Sequence, residues 1–270
     1  MSAICGVKID KYANILSFRA DMEVKMSISK RQEEILELLN EHSFLTVNRI
    51  AELTYTSPSS VRRDLTRLQG LSLIRRTHGG ASLFHAMNQA VPLNSRMLQN
   101  TAEKRQIAKK AETFLHDGQV VMLDGSSTSG FLVPFIAKHK DMTVFTNNML
   151  TAINAINYGL DTHCIGGFSV NHSAVLSGTQ AYRAVAEIHP DIFFFSAKSL
   201  NRNGVISDPI PEENYIRTLV LANARFNVFL CDSEKFGTES LYRFATVDQI
   251  DACVFDKPWN ELKTKCNVML

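Results

Sequence analysis

Strand-length apolar runs alternate with helical patterns over most of this sequence, and that alternation restricts the possible folds more than any other feature. Val120–Leu123, Ile192–Phe195 and Asn227–Cys231 are such runs, and each is followed by a polar loop. Strands that alternate with helices favour a largely parallel sheet. We therefore predict an α/β domain over residues 101–256 and a C-terminal tail over residues 257–270.

The composition is that of an ordinary globular chain with more than one domain. A length of 270 residues suggests two domains of unequal size, and 45% apolar with 21% charged residues argues against disorder. No apolar run approaches the roughly 18 residues of a membrane-spanning helix, so no membrane association is predicted. The net charge of +2 is too small to indicate a polyanionic partner by itself.

Cysteine and histidine spacing indicates neither a disulfide framework nor a metal site. The five cysteines lack a C-x-x-C pair, and buried free thiols in a reducing cytoplasm explain them best. The eight histidines form no metal-binding pattern, so neither a metal nor a cofactor is expected. Met1–Lys25 has no signal-peptide pattern, and we expect residues 1–27 to be an N-terminal extension.

Three short helices are predicted after this extension. Ser29 can cap the first, and Thr46–Leu53 has the apolar spacing of a short second helix. The pair Ser57-Pro58 is a strong start signal for a third helix over Ser59–Gln69. Apolar residues recur in this third helix every three or four positions, so its hydroxyl and arginine side chains point largely away from the core.

A basic hairpin is predicted directly after the third helix. Leu73–Thr77 and Ala81–Phe84 have strand patterns, and His78-Gly79-Gly80 forms the tight turn between them. Five arginines and one acid lie between Arg62 and Arg76. From these residues alone, a winged helix-turn-helix that reads DNA and an ordinary three-helix bundle with a solvated basic face are both open.

Two strings in this region carry a resemblance to a known family. The string SPSSVRRDL at Ser57–Leu65, followed by RRTHGGA at Arg75–Ala81, closely resembles the signature of the DeoR family of bacterial transcription regulators. The resemblance extends over residues 28–256 through Glu103-Lys104, Asp124–Thr128, Thr146-Asn147, Gly166-Gly167 and Asp232–Gly237. It implies a winged helix-turn-helix over residues 28–83 and a linker over residues 84–100.

In this family the third helix enters the major groove of double-stranded DNA and the hairpin contacts the backbone or minor groove. We expect Asp64 to orient an arginine or to cap locally, because phosphates would repel a carboxylate that faced them. The residues expected to contact DNA are Ser57, Ser59, Ser60, Arg62, Arg63, Arg67, Arg75, Arg76 and His78.

Polar and glycine-rich loops follow several predicted strands of the larger domain. Glycine and hydroxyl side chains at Asp124–Thr128 offer the donors that hold a phosphate, although a plain helix cap would use the same residues. Ligands of open α/β sheets gather where such strands end. The residues expected to bind an effector are Asp124, Gly125, Ser126, Ser127, Thr128, Thr146, Asn147, Gly166, Gly167 and Lys235.

The resemblance implies a sensor domain similar to the sugar-phosphate isomerase and CoA-transferase fold, with a pocket for a phosphorylated sugar. An isomerase is the competing class, but the isomerase pattern D-G-A-D is missing. Asp208, Glu212 and Glu213 are expected to line the pocket or begin the helix Pro211–Asn223. Lys198 stands where the family has a glycine loop, and it is either a second phosphate contact or a surface residue.

These features together predict a cytoplasmic DNA-binding repressor of carbohydrate genes, although activation is open as well. We expect two or four copies to associate through the α/β domains and place two winged helices on repeated half-sites. Binding of a phosphorylated sugar would then bias their arrangement through the linker and relieve repression.

Overall fold

The computed structural model describes residues 28–42, 44–71, 73–77, 79–83, 96–97, 99–263 and 267–269. The chain divides into two compact units on either side of residue 85. The expected extension at residues 1–27, the turn residue His78 and most of the linker lie outside the described residues.

The described part of the N-terminal unit contains three helices and a three-stranded antiparallel sheet. Its elements are α1 (Lys30–Glu41), β1 (Leu45–Thr46), α2 (Val47–Leu53), α3 (Pro58–Gly70), β2 (Ile74–Thr77) and β3 (Gly80–Leu83). The strand order is β1-β3-β2, so the predicted hairpin gains a third strand that the sequence reasoning missed. All three helices and the hairpin bury their apolar faces in one core.

Local signals explain where these helices begin. Ser29 and Gln32 form a reciprocal capping box ahead of α1, and Ser57 accepts a hydrogen bond from the Ser60 amide at the start of α3. Gly80 is required by a close approach, since a Cβ there would lie 2.3 Å from the carbonyl oxygen of Leu45. Glycine at this position therefore lets β1 join the hairpin.

The C-terminal unit is built on a seven-stranded sheet whose pairings are all parallel, in the order β15-β14-β12-β9-β4-β5-β6. Its strands are β4 (Val120–Leu123), β5 (Thr143–Thr146), β6 (Asp161–Cys164), β9 (Ile192–Phe195), β12 (Asn227–Cys231), β14 (Ala252–Phe255) and β15 (Asn267–Met269). Its helices are α4 (Thr101–Ala111), α5 (Ser127–Gly130), α6 (Val133–Ile136), α7 (Met149–Asn157), α8 (Thr179–Ala186) and α9 (Pro211–Asn223). A hairpin of β7 (Phe168–Ser169) and β8 (Leu176–Ser177) and a small sheet of β10 (Ser199–Leu200), β11 (Val205–Asp208) and β13 (Tyr242–Thr246) flank it.

Both faces of the large sheet are covered. Val121 and Leu123 of β4 enter one core, which includes residues of α4, whereas Met122 between them enters a second core with α8 and α9. Strands buried on both faces read as continuous apolar runs, which is why Ile192–Phe195 is buried throughout.

The order of the strands creates a switch point at the centre of the sheet. The chain runs from β4 outward to β5 and β6, then returns to the other side of β4 as β9 and continues to β12, β14 and β15. The loops after β4 and β9 therefore leave in opposite directions, and ligands of open α/β sheets bind at the carboxyl ends of the strands at such a point. Asp124 and Ser196 are the first residues beyond these two strands.

Two expectations about the larger unit need correction. The segment predicted as a tail supplies β15, which pairs in parallel with β14 and so extends the sheet. Cys231 and Cys253 are buried free thiols as expected, but Cys164 is exposed because β6 lies at the edge of the sheet. Among the described residues, no helix is long and apolar enough to span a membrane, and no group of side chains is arranged to hold a metal ion.

Candidate DNA interface and effector site

The third helix presents one hydroxyl-rich and basic face to solvent. Ser57, Ser59, Arg62, Arg63 and Arg67 are exposed, and Ser60 is half-buried. The Ser57 hydroxyl lies 2.9 Å from that of Ser59 and donates to that of Ser60 at 3.1 Å, so the hydroxyls cluster at the N-terminal turn. The Arg63 guanidinium donates to the Ser60 hydroxyl at 3.3 Å. Helix amide donors, hydroxyls and arginines thus share one surface.

Asp64 is turned away from this basic face. Its carboxylate is buried and accepts hydrogen bonds from Arg31 Nε at 2.6 Å and from Gln32 Nε2 at 3.0 Å, both on α1. The hydrogen bond and the charge of Asp64 raise the pKa of Arg31. Asp64 therefore orients an arginine and ties α3 to α1, and its negative charge is withheld from the exposed arginines.

The wing continues the basic surface. Arg75 is exposed on β2, and Arg76 Nη1 donates to the Thr66 hydroxyl on α3 at 2.9 Å. This bond fixes the hairpin against α3, so Arg76 has a structural contact in addition to its expected one. His78 lies outside the described residues, and its place at the interface stays a prediction.

Asp124 lies buried directly after β4, at the switch point of the larger unit. Its Oδ1 accepts from the Ser126 amide at 3.1 Å, the Ser126 hydroxyl at 2.5 Å and the Ser129 hydroxyl at 2.8 Å. Its Oδ2 accepts from the Ser196 amide at 3.3 Å and from Arg217 Nε at 2.9 Å. With 1% of its surface exposed, this carboxylate is committed to holding the loops after β4 and β9.

Arg217 was not anticipated from the sequence, yet it binds Asp124 and two further buried carboxylates. It is 1% exposed and also lies 2.9 Å from Glu213 and 3.3 Å from Asp208. Burial opposes its charge, but the three carboxylates prevail and raise its pKa. Glu213 stays harder to ionise, because burial raises its pKa. Arg217 lies four residues after Glu213 on the buried stripe of α9, a spacing that could have identified the pair.

The neighbouring loop brings polar atoms to the same end of the sheet. Asn148 Nδ2 donates to the carbonyl oxygen of Gly125 at 3.2 Å, which joins the loops after β4 and β5. Thr146 accepts from the Asn148 amide. Asn147 is 1% exposed, and its Nδ2 donates to the Leu176 carbonyl. Its Oδ1 is buried and has no hydrogen-bond partner within the described part of the chain.

Lys235 reaches the switch point from the loop after β12. Its Nζ donates to the Ser196 hydroxyl at 2.8 Å and lies 2.9 Å from Asp232 Oδ2. Burial opposes both charges, but each group favours the charged form of the other, so the pKa of Lys235 is raised and that of Asp232 is lowered. Lys198 follows Ser196 by two residues and is exposed to solvent on one side. The protein that covers its other side, together with the charges of Lys235 and Arg96, lowers its pKa.

Residues 96–97 and 99–100, expected to be linker, are bound to this unit. Lys104 is 4% exposed and donates to the carbonyl oxygens of Arg96 and Gln99. Asn100 Nδ2 donates to Asp232 Oδ1 at 3.3 Å and to Glu234 Oε2 at 2.8 Å. Arg96 Nη2 lies 3.9 Å from Glu213, and its buried Nε has no hydrogen-bond partner among the described residues. We call residues 96–97 and 99–100 the strap.

Burial, reinforced by the charge of Lys235, lowers the pKa of Lys104 to about 7. The charge of Lys235 and that of Arg96 also lower the pKa values of Lys104 and Lys198, while the carboxylate of Asp232 acts on both in the opposite direction.

The remaining predicted effector residues divide into two kinds. Ser127 and Thr128 are buried in the turn after Gly125, and Ser126 caps that turn by accepting from the Ser129 amide. Gly166 and Gly167 are exposed, and a Cβ on Gly167 would lie 2.3 Å from the Ser177 carbonyl oxygen. Backbone packing against the β7–β8 hairpin therefore explains glycine at position 167.

Comparison with solved structures finds partial overlaps. Ribose 5-phosphate isomerase A from Methanocaldococcus jannaschii overlaps with 51% of this chain and 55% of its own, at a TM-score of 0.39 and 17% identity. Translation factor eIF2B beta from Chaetomium thermophilum overlaps with 77% of this chain and 59% of its own, at a TM-score of 0.43 and 14% identity.

Comparison with protein families and curated sequences is decisive. The DeoR-like helix-turn-helix domain matches residues 31–86, and the DeoR C terminal sensor domain matches residues 99–257. The regulator GolR of Listeria innocua is 30% identical over 86% of this chain and 92% of its own. The repressor GlcR of Bacillus subtilis is 28% identical over 86% of this chain and 90% of its own. The chain therefore belongs to the DeoR family of DNA-binding transcription regulators.

Proposed function

We propose that this regulator represses a carbohydrate-utilisation operon in the cytoplasm and that a phosphorylated sugar, bound at the switch point of the larger unit, controls it. The observation that carries the proposal is that Lys235 donates to Ser196 at the switch point and that Lys198 follows two residues later, with its amide held by Asp208. Regulators similar to this chain include a repressor named for the aga operon in Escherichia coli O157:H7, at 27% identity.

DNA reading is assigned to the exposed face of α3. Arg62 and Arg67 reach base edges or phosphates, while Ser57 and Ser59 at the N-terminal turn position the helix on the backbone. Arg75 brings the wing to the neighbouring phosphates. The inward turn of Asp64 supports this assignment, because the carboxylate in the middle of the basic string is bound to α1.

The effector site is assigned to the space around Lys235, Lys198 and the loop Gly125–Thr128. A phosphate needs cationic and N–H donors, and these lysines supply charge while the turn supplies amides. A sugar needs acceptors for its hydroxyls, and the unpartnered Oδ1 of Asn147 is one. Asp124 is assigned to positioning the loops, since its own carboxylate oxygens are occupied.

The strap supplies a physical route from this site toward the DNA-binding unit. Asp232 binds both Lys235 and Asn100, so a phosphate that competes for Lys235 changes the partner that holds Asn100. Arg96 follows the linker in sequence and carries a buried, unpartnered Nε. Effector binding is thereby coupled to the point where the linker enters the larger unit, and two associated copies would respond together.

An isomerase activity is the competing function, and the contacts of the carboxylates disfavour it. Acid–base catalysis needs a carboxylate that is free to exchange a proton with substrate. Asp124, Asp208 and Glu213 all contact Arg217. Burial raises the pKa of Glu213, as it does in some catalytic acids, but Arg217 and Arg96 lie against its two oxygens. The group is built as a structural ion cluster.

Substitution Arg62→Ala is expected to weaken specific DNA binding by about 1–3 kcal/mol, because the variant loses a contact to a base edge. Duplexes enriched by this protein from a random-sequence library would be titrated at fixed salt concentration. Arg202→Ala, which removes an equally charged and exposed side chain from the other unit, is the matched control and should bind normally. Equal affinity of Arg62→Ala and the wild type would remove Arg62 from the interface.

Phosphorylated sugars are expected to raise the melting temperature of the full chain, whereas the same sugars without phosphate are not, because ligand bound only to the folded state stabilises it. For the active compound, Lys198→Ala should weaken binding by about tenfold, the loss of one charge-assisted contact. Lys138→Ala is the control, since Lys138 is an exposed lysine paired with Glu112. An unaltered affinity of Lys198→Ala would leave Lys198 as a surface residue only.

The stability of the chain should depend on pH through Lys104. Its pKa is about 7 in the folded chain and about 10.4 when unfolded, so the unfolded chain binds more protons between these values. The cost of burying the charge is therefore full below pH 7 and is relieved as pH rises. The free energy of unfolding of the wild type minus that of Lys104→Met should therefore rise with pH. The rise should reach up to about 1.4 kcal/mol per pH unit above pH 7. Urea titrations from pH 6 to pH 9 that show a constant difference would contradict this.

A further inference from the structure

The edge strand β6 is exposed, unlike the strands at the centre of the sheet. Asp161, His163 and Cys164 are exposed and Thr162 is half-buried, whereas every residue of β9 and β14 is buried. Within the described part of the chain, β6 pairs with β5 on one side and with no strand on the other. An open edge of this kind is a template for pairing with another chain.

The hydrogen bonds between β6 and β5 show which backbone N–H and C=O groups of β6 point toward the open edge. The Ile165 amide donates to the Thr146 carbonyl oxygen of β5 at 2.7 Å. Backbone groups of alternate residues in a strand point to the same side, so His163 also faces β5. The N–H and C=O groups of Thr162 and Cys164 therefore face the open edge.

The helix that packs on β6 has an apolar stripe in solvent. Met149 and Ile156 of α7 are 38% and 61% exposed, and Ile153 between them is half-buried. These residues are spaced at i, i+4 and i+7 and so share one face of the helix. Ala152 and Ala155 are buried and form the stripe that packs on the sheet. The helix thus has a second apolar stripe that is exposed, and the helix itself packs against the edge strand β6.

We propose that a second copy of this chain adds its own β6 antiparallel to this edge. The two copies are related by a two-fold axis that passes midway between their Thr162 residues. The two Thr162 residues would exchange both backbone hydrogen bonds, and one sheet would run through both copies. The inference gives a surface to the association proposed above. It does not depend on the identity of the effector.

The pairing of Asp161 with His163 favours this register. With Thr162 opposite its own copy, Asp161 of each chain stands across from the partner's His163, in the closely spaced non-hydrogen-bonded position. The two side chains already lie 3.9 Å apart within one chain, with the His163 ring stacked on Phe145, so they are at the edge and oriented. A carboxylate opposite an imidazole is a favourable pair, and the two-fold axis forms it twice.

The flanking helices also support a second copy of this chain as the partner at this edge. An antiparallel strand pair has its two-fold axis perpendicular to the sheet, so the partner's α7 lies on the same face of the sheet as this α7. The exposed stripes of Met149, Ile153 and Ile156 would then lie on the same face of the joined sheet, where contact between the two helices can remove them from water. A self-complementary edge and a self-complementary stripe meet the geometric requirement of a two-fold interface between identical chains.

The test is the mass of the full chain in solution, measured by light scattering over a range of concentrations. Thr162→Pro removes the N–H that faces the open edge and leaves the N–H of His163 for β5, so it should halve the mass. Asp161→Lys places a lysine opposite the partner's His163 and should raise the dissociation constant by about tenfold. The double variant Asp161→Lys with His163→Glu restores opposite charges and should recover the wild-type mass.

Melting temperature and far-ultraviolet circular dichroism of each variant show that it is folded. Wild-type mass in both Thr162→Pro and Asp161→Lys would overturn the proposed surface while leaving association of the chain intact. A wild-type chain that is monomeric at all concentrations would overturn both. Failure of every phosphorylated sugar to bind would affect the proposed effector alone.

Discussion

The buried ion cluster around Arg217 is the interaction on which the rest of the larger unit depends. A guanidinium that is 1% exposed is tolerated only with anionic partners, and Asp124, Asp208 and Glu213 provide them. Asp124 also accepts the Ser196 amide, and Asp208 accepts the Lys198 amide. The loops after β4 and β9 are therefore fixed by one set of charges, and Lys198 and Ser196 are presented from a rigid base.

In both units, arginine contacts hold acidic side chains inside the protein. In the smaller unit, the acid within the basic string of α3 is drawn inward to Arg31, and the arginines beside it are exposed. In the larger unit, Asp124, Asp208 and Glu213 contact Arg217, whereas Lys235 is paired with Asp232 and Lys198 is exposed. The exposed face of α3 is thereby left positive, and a positive surface with N–H donors suits the phosphates of DNA.

The sequence was sufficient for features with a local signal. Ser57-Pro58 predicted the start of α3, the apolar runs predicted the central strands, and the motifs predicted the family. Features that arise from distant residues were missed. The role of Asp124 depends on Arg217, which lies 93 residues away, and β15 forms only because β14 offers it an edge. The exposure of Cys164 follows from the place of β6 in the strand order, which apolar patterning does not encode.

The proposed function requires that an anionic metabolite bound in the larger unit control DNA binding by the smaller one. Fluorescence anisotropy of a labelled duplex bound by this protein tests it most directly, with the phosphorylated sugar and its unphosphorylated form titrated in parallel. The account predicts that the phosphorylated sugar releases the duplex and that the unphosphorylated sugar does not. A phosphorylated sugar that binds the protein yet leaves the anisotropy curve unchanged would contradict it.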